Sequence, residues 1–386
     1  MTAQGPVTGQ SAVTAQGTVT DQTAASPLAY LGPEGTFTHQ AAINWLGRAS
    51  ALRGQGDYQP CAVDTVGQVF AQVSDGRSDF GVIALESSIE GHVTPSIDGL
   101  LLSQDVMAVD EVVLPISFDA FARDVGPYTQ GLAHPYGLAQ VTGFMTQHHL
   151  APVPTSSNAA ACRDLGPGQV AFGPSMCGDL YRLRRLARGV EDYPGAKTRF
   201  AVLTRRSLAC AAYGVLGQGR QVYEPGQQGC EQGSAGSGEF AGPGQLADCG
   251  PLAGPGGNAA SLRGGGLAWR TMVAVTPTHI GPGVLARVTS AFGRQEVNMS
   301  SLVSRPLKAR AQQYAFIVTC DFAPWQAPLQ AVLRHLMQAG DAVKTLGVYR
   351  AQAGDDTVDS VLASHIPPGS VTDQHKAHEQ QESLLW

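Results

Sequence analysis

A stretch of 50 residues rich in glycine and proline limits how this chain of 386 residues can fold. Between positions 217 and 266 lie 16 of the chain's 47 glycines and four prolines. Such a segment has too little apolar surface to offset the conformational entropy lost on folding, so it is typical of a flexible linker. The sequence therefore predicts two ordered parts, 28–213 and 267–350, joined by a linker over 214–266.

The two ends of the chain have a composition that does not favour a packed core. Residues 1–27 are dominated by Thr, Gln, Ala and Gly, and residues 351–386 are mostly polar. Segments of this kind bury too little apolar area to fold, so disordered tails are expected at both ends.

Charge and composition exclude several classes of protein. A net charge of −6 leaves no basic excess for nucleic acid or for an anionic membrane surface. No apolar run approaches the ~20 residues of a membrane helix, and the N-terminus lacks the basic start of a secretory signal. The seven scattered cysteines include no C-x-x-C pair, which argues against a disulfide framework or a structural zinc site. We therefore expect a cytoplasmic protein with no nucleic-acid partner and no membrane partner.

The first ordered part alternates short apolar runs with amphipathic helical patterns. The runs at 28–31, 80–85 and 109–118 are typical of strands, and the apolar faces at 41–46 and 66–73 are typical of helices. This alternation predicts an α/β fold built from βα units, with a largely parallel sheet.

The second ordered part has a different order of elements. Strand and helix patterns follow one another as β-α-β-β-α-β between residues 271 and 349. That order predicts a ferredoxin-like domain with two helices on one face of a four-stranded sheet. The arrangement leaves a sheet face or edge open for a partner, and domains of this kind commonly pair.

Polar loops lie where several of these elements begin or end. The loop 32–38 joins a strand to a helix, Glu86-Ser87-Ser88 follows the apolar run 80–85, and Ser156-Ser157 precedes an alanine-rich helix. Helix N-termini and the carboxyl ends of parallel strands bind anions and other ligands. Ordinary capping explains each loop equally well when it is taken singly.

Other candidate features are weaker when considered alone. Thr198-Arg199-Phe200 leads into a strand, and His134 could titrate near neutral pH, although an isolated histidine is more often structural. The sequence contains no phosphate-loop lysine motif, no G-x-S-x-G motif and no cluster with metal-ligand spacing. These absences argue against nucleotide, serine-hydrolase and metal chemistry.

Taken in their order, these segments resemble prephenate dehydratase with a C-terminal ACT regulatory domain, in its monofunctional form without a chorismate mutase domain. The likeness covers about 28–205 and 271–350. The pieces that carry it are YLGPEGTFTHQAA at 30–42, Thr198-Arg199-Phe200, GPGVL at 281–285, and NMSSL at 298–302 continuing to Ser304-Arg305-Pro306. The resemblance implies a two-lobed, periplasmic-binding-protein-like catalytic domain with a cleft between two α/β subdomains, followed by a ferredoxin-like ACT domain.

The resemblance also implies a reaction and its residues. Prephenate is a dianion that loses CO2 and hydroxide together to give phenylpyruvate, and aromatisation drives the reaction without any cofactor. Thr198 is expected at the leaving hydroxyl, and Arg199 either at a substrate carboxylate or paired with an internal acid. The implied catalytic residues are Thr198, Glu86, Ser87 and Ser156, and the implied substrate-binding residues are Thr36, Phe37, Ser88, Ser157, Arg199 and Phe200.

For the second part, the resemblance implies control by L-phenylalanine. The effector is expected at an interface between two ACT domains, in a homodimer or homotetramer. The implied effector-binding residues are Gly283, Val284, Leu285, Asn298, Ser304 and Arg305.

Several positions depart from the family pattern. Ser87 stands where asparagine is usual, Ala196 where asparagine is often found, and Val303 where the ACT motif has glutamate. A serine at 87 keeps hydrogen-bonding ability, so altered substrate contacts are expected rather than loss of activity. Two alternatives stay open at this stage, an arogenate dehydratase and a two-lobed ligand-binding sensor without turnover.

Overall fold

The computed structural model describes residues 26–53, 58–215, 269–307 and 313–351. The tails and the linker that the composition predicts lie almost wholly outside these ranges. The strands are β1 (Ser26–Leu31), β2 (Tyr58–Val63), β3 (Phe80–Ser87), β4 (Gly91–His92), β5 (Val106–Pro115), β6 (Asp119–Ala122), β7 (Gln130–Ala133), β8 (Ala151–Pro154), β9 (Gln169–Gly173), β10 (Arg184–Ala187), β11 (Lys197–Arg205), β12 (Trp269–Thr276), β13 (Met299–Pro306), β14 (Tyr314–Asp321) and β15 (Ala342–Arg350). The helices are α1 (Phe37–Arg53), α2 (Val66–Ser74), α3 (Thr94–Leu102), α4 (Pro135–Leu138), α5 (Thr142–Gln147), α6 (Asn158–Arg163), α7 (Met176–Leu180), α8 (Ala209–Val215), α9 (Val284–Gly293) and α10 (Ala327–Gln338).

Two lobes form the part of the chain before residue 216. The first lobe has the strand order β2-β1-β3-β11-β5, with β4 added beside β3, and the second has the order β10-β6-β9-β7-β8. Both lobes combine strands with helices, so the predicted α/β class is confirmed. None of the helices in the described ranges is long and apolar enough to span a membrane.

The sheets are mixed, which corrects the expectation of a largely parallel arrangement. Strands β1, β2 and β3 are parallel, as βα units require, but β11 runs antiparallel to both β3 and β5. The chain leaves the first lobe after β5, builds the second lobe, and returns through the first sheet along β11. Because β11 comes back from the second lobe, it enters the first sheet at the end where β5 leaves it and runs antiparallel to β5. No local apolar pattern in the sequence reveals this direction.

Helix α1 lies against the first sheet and is fixed there by a buried tryptophan. Trp45 is 1% exposed, packs 4.8 Å from the Phe80 ring, and donates its indole N–H to Asp110 Oδ2 at 3.0 Å. Arg48 donates to the same carboxylate oxygen at 2.8 Å. Since a buried polar group must find a partner, these contacts set the position of α1, whose N-terminus lies at the cleft described below.

The C-terminal domain has the predicted β-α-β-β-α-β order, with the sheet order β13-β14-β12-β15. Its strands pair antiparallel, and apolar residues of α9 and α10 pack against one face. The ferredoxin-like expectation for this part is therefore confirmed.

The edge strand β15 of this domain lies beside β5 of the first lobe, which joins the two sheets. A Cβ atom at Gly347 would lie 2.7 Å from the Ala108 Cβ, so the close approach of the strands depends on glycine. Lys344 Nζ donates to the carbonyl oxygens of Leu100 and Leu101 at the end of α3, at 3.1 and 2.7 Å. A cation at the C-terminus of a helix is a favourable charge arrangement, so this lysine helps to dock the domain.

Candidate active site

A cleft of about 1170 Å³ opens between the two lobes. The first lobe contributes the loop after β1, the ends of β3 and β11, and the turn that leads to α3. The second lobe contributes residues at the starts of α4 and α6 together with Tyr181, which directly follows α7. The cleft is large enough for a small organic ligand to be enclosed by both lobes.

The loop 32–38 forms one wall of the cleft at the N-terminus of α1. Gly35 has φ +84°, a left-handed conformation that favours glycine, and its N–H donates to His39 Nδ1 at 3.1 Å. Thr36 Oγ1 accepts the N–H of His39 at 3.1 Å, so its hydroxyl caps the first turn while it lines the cleft. Phe37 lines the same wall and packs edge-on against Phe118 at 5.4 Å.

The second lobe reaches across to this loop through α7. The Cys177 thiol donates to the carbonyl oxygen of Gly35 at 3.3 Å, and the Tyr181 hydroxyl donates to that of Glu34 at 2.5 Å. These contacts hold the lobes together behind one end of the cleft.

The opposite wall carries Ser156 and Ser157 at the start of α6. Both residues line the cleft, and the Ser157 hydroxyl caps the helix by accepting the Ala160 N–H at 2.9 Å. Asn158 Oδ1 accepts the N–H of His134 at 2.9 Å, which ties this wall to the start of α4. The two predicted hydroxyl-bearing loops therefore lie on facing sides of one cleft.

The floor of the cleft is the meeting point of β3 and β11. Thr198 lies opposite Ser87 in the strand register, and both residues line the cleft together with Phe200. Directly opposed residues in an antiparallel pair project to the same face, so the two hydroxyl groups lie side by side. The Ser87 hydroxyl also accepts the N–H of Ile89 at 3.2 Å, which orders the turn after β3.

Three of the predicted site residues are not among those that line the cleft. Glu86 and Arg199 form the next opposed pair along β3 and β11, so strand alternation turns them to the reverse side of the floor. Ser88 instead joins the strand ends, because its hydroxyl accepts the Lys197 N–H at 3.0 Å. The expectation that these three side chains contact substrate therefore differs from where the structure places them.

Arg199 takes the internal role that the sequence left open. Its Nε lies 3.6 Å from Glu111 Oε2, and the two side chains are only 3% and 1% exposed. Tyr349 of the C-terminal domain is buried beside this pair, and burial first and the Glu111 charge second raise the pKa of its phenol. A buried polar cluster that spans both domains thus lies on the reverse side of the floor, beside Thr198.

Several cleft residues were not singled out from the sequence. Ile116 and Phe118 follow β5 and supply an apolar wall, and His92 is the last residue of β4, which pairs with β3. None of these residues lies in a motif, and their positions depend on the pairing of β11 with β5 and of β4 with β3. Among the described residues, no group of three His, Cys, Asp or Glu side chains is arranged to hold a metal ion.

The predicted effector-binding residues lie at several places in the C-terminal domain. Gly283, at φ +83°, precedes α9, which begins with Val284 and Leu285. Asn298 precedes β13, and Ser304 is exposed on that strand. Arg305 differs from the expectation, because its guanidinium donates twice to Asp98 Oδ1 of the first lobe, at 3.0 and 2.8 Å.

The free energy of unfolding should depend on pH through His39. Burial lowers the pKa of this histidine, because a charged imidazole is poorly solvated behind the loop 32–38. The unfolded chain therefore binds a proton more readily than the folded chain, and stability should fall as the pH decreases below about 6.5. His39→Gln keeps an acceptor for the Gly35 N–H and should flatten this dependence in urea unfolding series.

A matched control for this prediction is His335→Gln, which changes an exposed histidine on α10. The change in the slope of stability against pH should be larger in His39→Gln than in this variant. An equal slope for the wild type and His39→Gln would show that His39 does not produce the effect.

The fold and the cleft define a two-lobed α/β protein with hydroxyl groups on facing walls. Comparison with known proteins adds the family, because residues 28–208 match the family model of prephenate dehydratase. Residues 28–208, slightly less than half of the chain, are thus similar to prephenate dehydratases.

Curated relatives match this chain over different lengths. A prephenate dehydratase of Mycobacterium sp. (strain KMS) is 35% identical over 190 residues, which is 46% of this chain and 59% of the relative. A bifunctional chorismate mutase/prephenate dehydratase of Aquifex aeolicus is 25% identical over 330 residues, 83% of this chain and 73% of the relative. The chain thus spans about three fifths of the length of the first of these relatives.

Solved structures share the fold. Prephenate dehydratase from Arthrobacter aurescens, in complex with L-Phe, has a TM-score of 0.61 at 23% identity and covers 93% of this chain and 99% of its own. The enzyme from Staphylococcus aureus has a TM-score of 0.59 at 23% identity, covering 84% and 100%. At this identity the likeness concerns the fold alone.

Proposed function

We propose that this chain is a prephenate dehydratase, a carbon–oxygen lyase that forms phenylpyruvate from prephenate in L-phenylalanine biosynthesis. The family match over 28–208 supports this most directly. The cleft adds support, because it brings hydroxyl groups from distant parts of the chain around a space of suitable size. The substrate class is a small dianion with a ring hydroxyl.

The first requirement of the reaction is to anchor two carboxylates. The loop 32–38 offers the Thr36 hydroxyl and the N-terminus of the long helix α1, where unpaired N–H groups and the helix dipole favour an anion. Ser156 lies on the facing wall and can donate a hydrogen bond to a second carboxylate. Substrate held between these walls would have its ring over the floor.

The second requirement is to assist the departing hydroxyl. Thr198 lies on the floor, and its hydroxyl is too weak an acid to protonate a leaving group outright at neutral pH. We assign it a hydrogen bond that stabilises the departing oxygen, with Ser87 beside it. Glu86 faces the reverse side, so a proton would reach the leaving oxygen from water rather than directly from this carboxyl.

The third requirement is an apolar surface around the carboxylate that leaves as CO2. Phe37, Phe118 and Ile116 line the cleft, and Phe200 lies beside Thr198 on the floor. Loss of CO2 converts a charged group to a neutral molecule, so an environment poor in water favours the transition state over the bound carboxylate.

We also propose that the C-terminal domain is an ACT domain that binds L-phenylalanine and regulates the enzyme. The ferredoxin-like order of elements supports this, and a relative of the same fold was solved in complex with L-Phe. Binding would occur at an interface between two copies, with Gly283, Val284, Leu285, Asn298 and Ser304 as candidate contacts. A homodimer or homotetramer follows from this proposal.

The test is formation of phenylpyruvate from prephenate, followed by its ultraviolet absorbance. We expect turnover without any added metal or cofactor, and a faster reaction with prephenate than with arogenate. L-Phenylalanine should bind in calorimetry and change the rate, with a coupling of about 1–3 kcal/mol. Absence of product from both substrates would refute the catalytic proposal, and absence of heat at millimolar L-phenylalanine would refute the regulatory one.

A further inference from the structure

The reverse side of the cleft floor is a polar contact surface between the first lobe and the C-terminal domain. We call it the reverse interface; it consists of Glu86, His92 and Asp98 of the first lobe and of Ser301 and Arg305 of β13. Ser301 and Arg305 alternate along β13 with residues that are more exposed. The face of this strand that carries Ser301 and Arg305 therefore lies against the first lobe. Val303 lies between them and packs against the apolar cluster beneath α3.

His92 belongs both to the cleft and to the reverse interface. It is among the residues that line the cleft, and its Nε2 lies 3.2 Å from Ser301 Oγ and 3.6 Å from Glu86 Oε1. In the register of β3 and β4, Glu86 lies opposite His92, and Ser87 lies opposite Gly91. The backbone at Ser87 pairs with β4, and His92 of β4 contacts Ser301 of the C-terminal domain. The position of Ser87 therefore depends in part on a contact between the two domains.

A second contact, between Arg305 and Asp98, also joins β13 to the first lobe. Arg305 donates twice to Asp98, a residue of α3, and both side chains are at least three quarters buried. Helix α3 begins two residues after His92, the last residue of β4. A charge-assisted pair with two hydrogen bonds is more rigid and directional than a single contact, so β13 and the start of α3 should move together.

We propose that Ser301 and Arg305 are positioning residues, through which the C-terminal domain holds the turn 87–92 and couples its own state to the cleft. This inference rests on the proposed function, since it concerns how the cleft is controlled. Asn298 and Ser304, proposed as effector contacts, lie next to or on the same strand. An effector that shifts β13 would therefore change the contact between Ser301 and His92, and with it the position of Ser87.

Ser301→Ala tests this inference against Ser300→Ala. The Ser300 hydroxyl donates to the Thr319 carbonyl oxygen within its own domain, so the control removes a hydroxyl from the adjacent position. Loss of one hydrogen bond that positions the site should lower kcat by about 3- to 10-fold in Ser301→Ala, with KM changed by less than about 2-fold. The fold-change in rate caused by L-phenylalanine should also decrease, and Ser300→Ala should match the wild type in each measurement.

A double variant tests whether Ser301 acts through His92. His92→Leu combined with Ser301→Ala should have the same kcat as His92→Leu alone, because leucine has no polar atom to contact Ser301. If the two effects multiply independently, or if Ser301→Ala equals the wild type in kcat and in its response to L-phenylalanine, the inference is wrong.

A measurement that needs no turnover separates this inference from the proposed function. In spectra of the full chain with 15N-labelled histidine, the His92 signal is identified by its loss in His92→Gln. Ser301→Ala should shift this signal, and Ser300→Ala should not. An unchanged signal in Ser301→Ala overturns the inference even if the enzyme is active, whereas a shifted signal supports the contact even if prephenate is not the substrate.

Discussion

Replacement of Thr198 by valine is expected to lower kcat by about 10²- to 10⁴-fold, the range associated with a positioned hydrogen-bonding or proton-transfer group. Valine has the same shape as threonine without the hydroxyl, so the departing oxygen would lose its partner on the floor. The free energy of unfolding should change by less than about 1 kcal/mol, since surface or cleft substitutions without packing changes have small effects. Steady-state kinetics with prephenate and urea unfolding measure the two quantities.

Thr204→Val is the matched control on the same strand. Its hydroxyl is buried and donates to the Asp79 carbonyl oxygen at 2.8 Å, away from the cleft. This variant should lose about 1–3 kcal/mol of stability because a buried acceptor is left without its donor, while kcat stays near the wild-type value. Normal turnover in Thr198→Val would show that the hydroxyl of Thr198 does not act on the leaving group.

Replacement of Glu111 by glutamine should lower the free energy of unfolding by about 3–5 kcal/mol, because it leaves the Arg199 charge buried without its carboxylate. The two side chains are almost fully buried and 3.6 Å apart, so solvent cannot compensate for the lost charge. Urea denaturation of the full chain, followed by tryptophan fluorescence, measures the effect.

The exposed pair Arg77–Asp75 provides the comparison. Its atoms are closer, at 3.0 Å, but its side chains are 63% and 59% exposed, so Asp75→Asn should cost less than about 1 kcal/mol. Removing both buried charges in Glu111→Gln/Arg199→Met should restore part of the stability lost in Glu111→Gln. Equal losses for Glu111→Gln and Asp75→Asn would show that the buried pair contributes no more than a surface pair.

Local patterns were sufficient for most of the secondary structure. The apolar run 80–85 became the buried strand β3, and the face at 66–73 became α2, because a short continuous apolar run is typical of a buried strand and a period of about 3.6 residues is typical of an amphipathic helix. The β-α-β-β-α-β order of the second part was also predictable, since each of its elements has its own clear period. The direction of β11 was not, because pairing between distant strands leaves no periodic trace in the sequence.

The candidate site was predictable as a set of loops but not as a set of side chains. Hydroxyl groups at Thr36, Ser87, Ser156 and Thr198 were expected together, and all of them line one cleft. Glu86 and Arg199 were expected with them, yet each lies one position from a cleft residue and projects to the other side. In a strand, one position is the difference between opposite faces, and only the pairing of β3 with β11 determines which face is the cleft.

The amino-acid sequence by itself determined where the described parts of the chain form helices and strands and which loops bear hydroxyl groups, because these depend on neighbouring residues. The tertiary structure alone decided that Arg199 is buried with Glu111 behind the cleft, and that Ser301 of the C-terminal domain reaches His92. Arg199 and Glu111 are 88 positions apart in the sequence, and Ser301 and His92 are 209 positions apart. Their formation depends on how whole lobes and domains pack, and no local pattern contains that information.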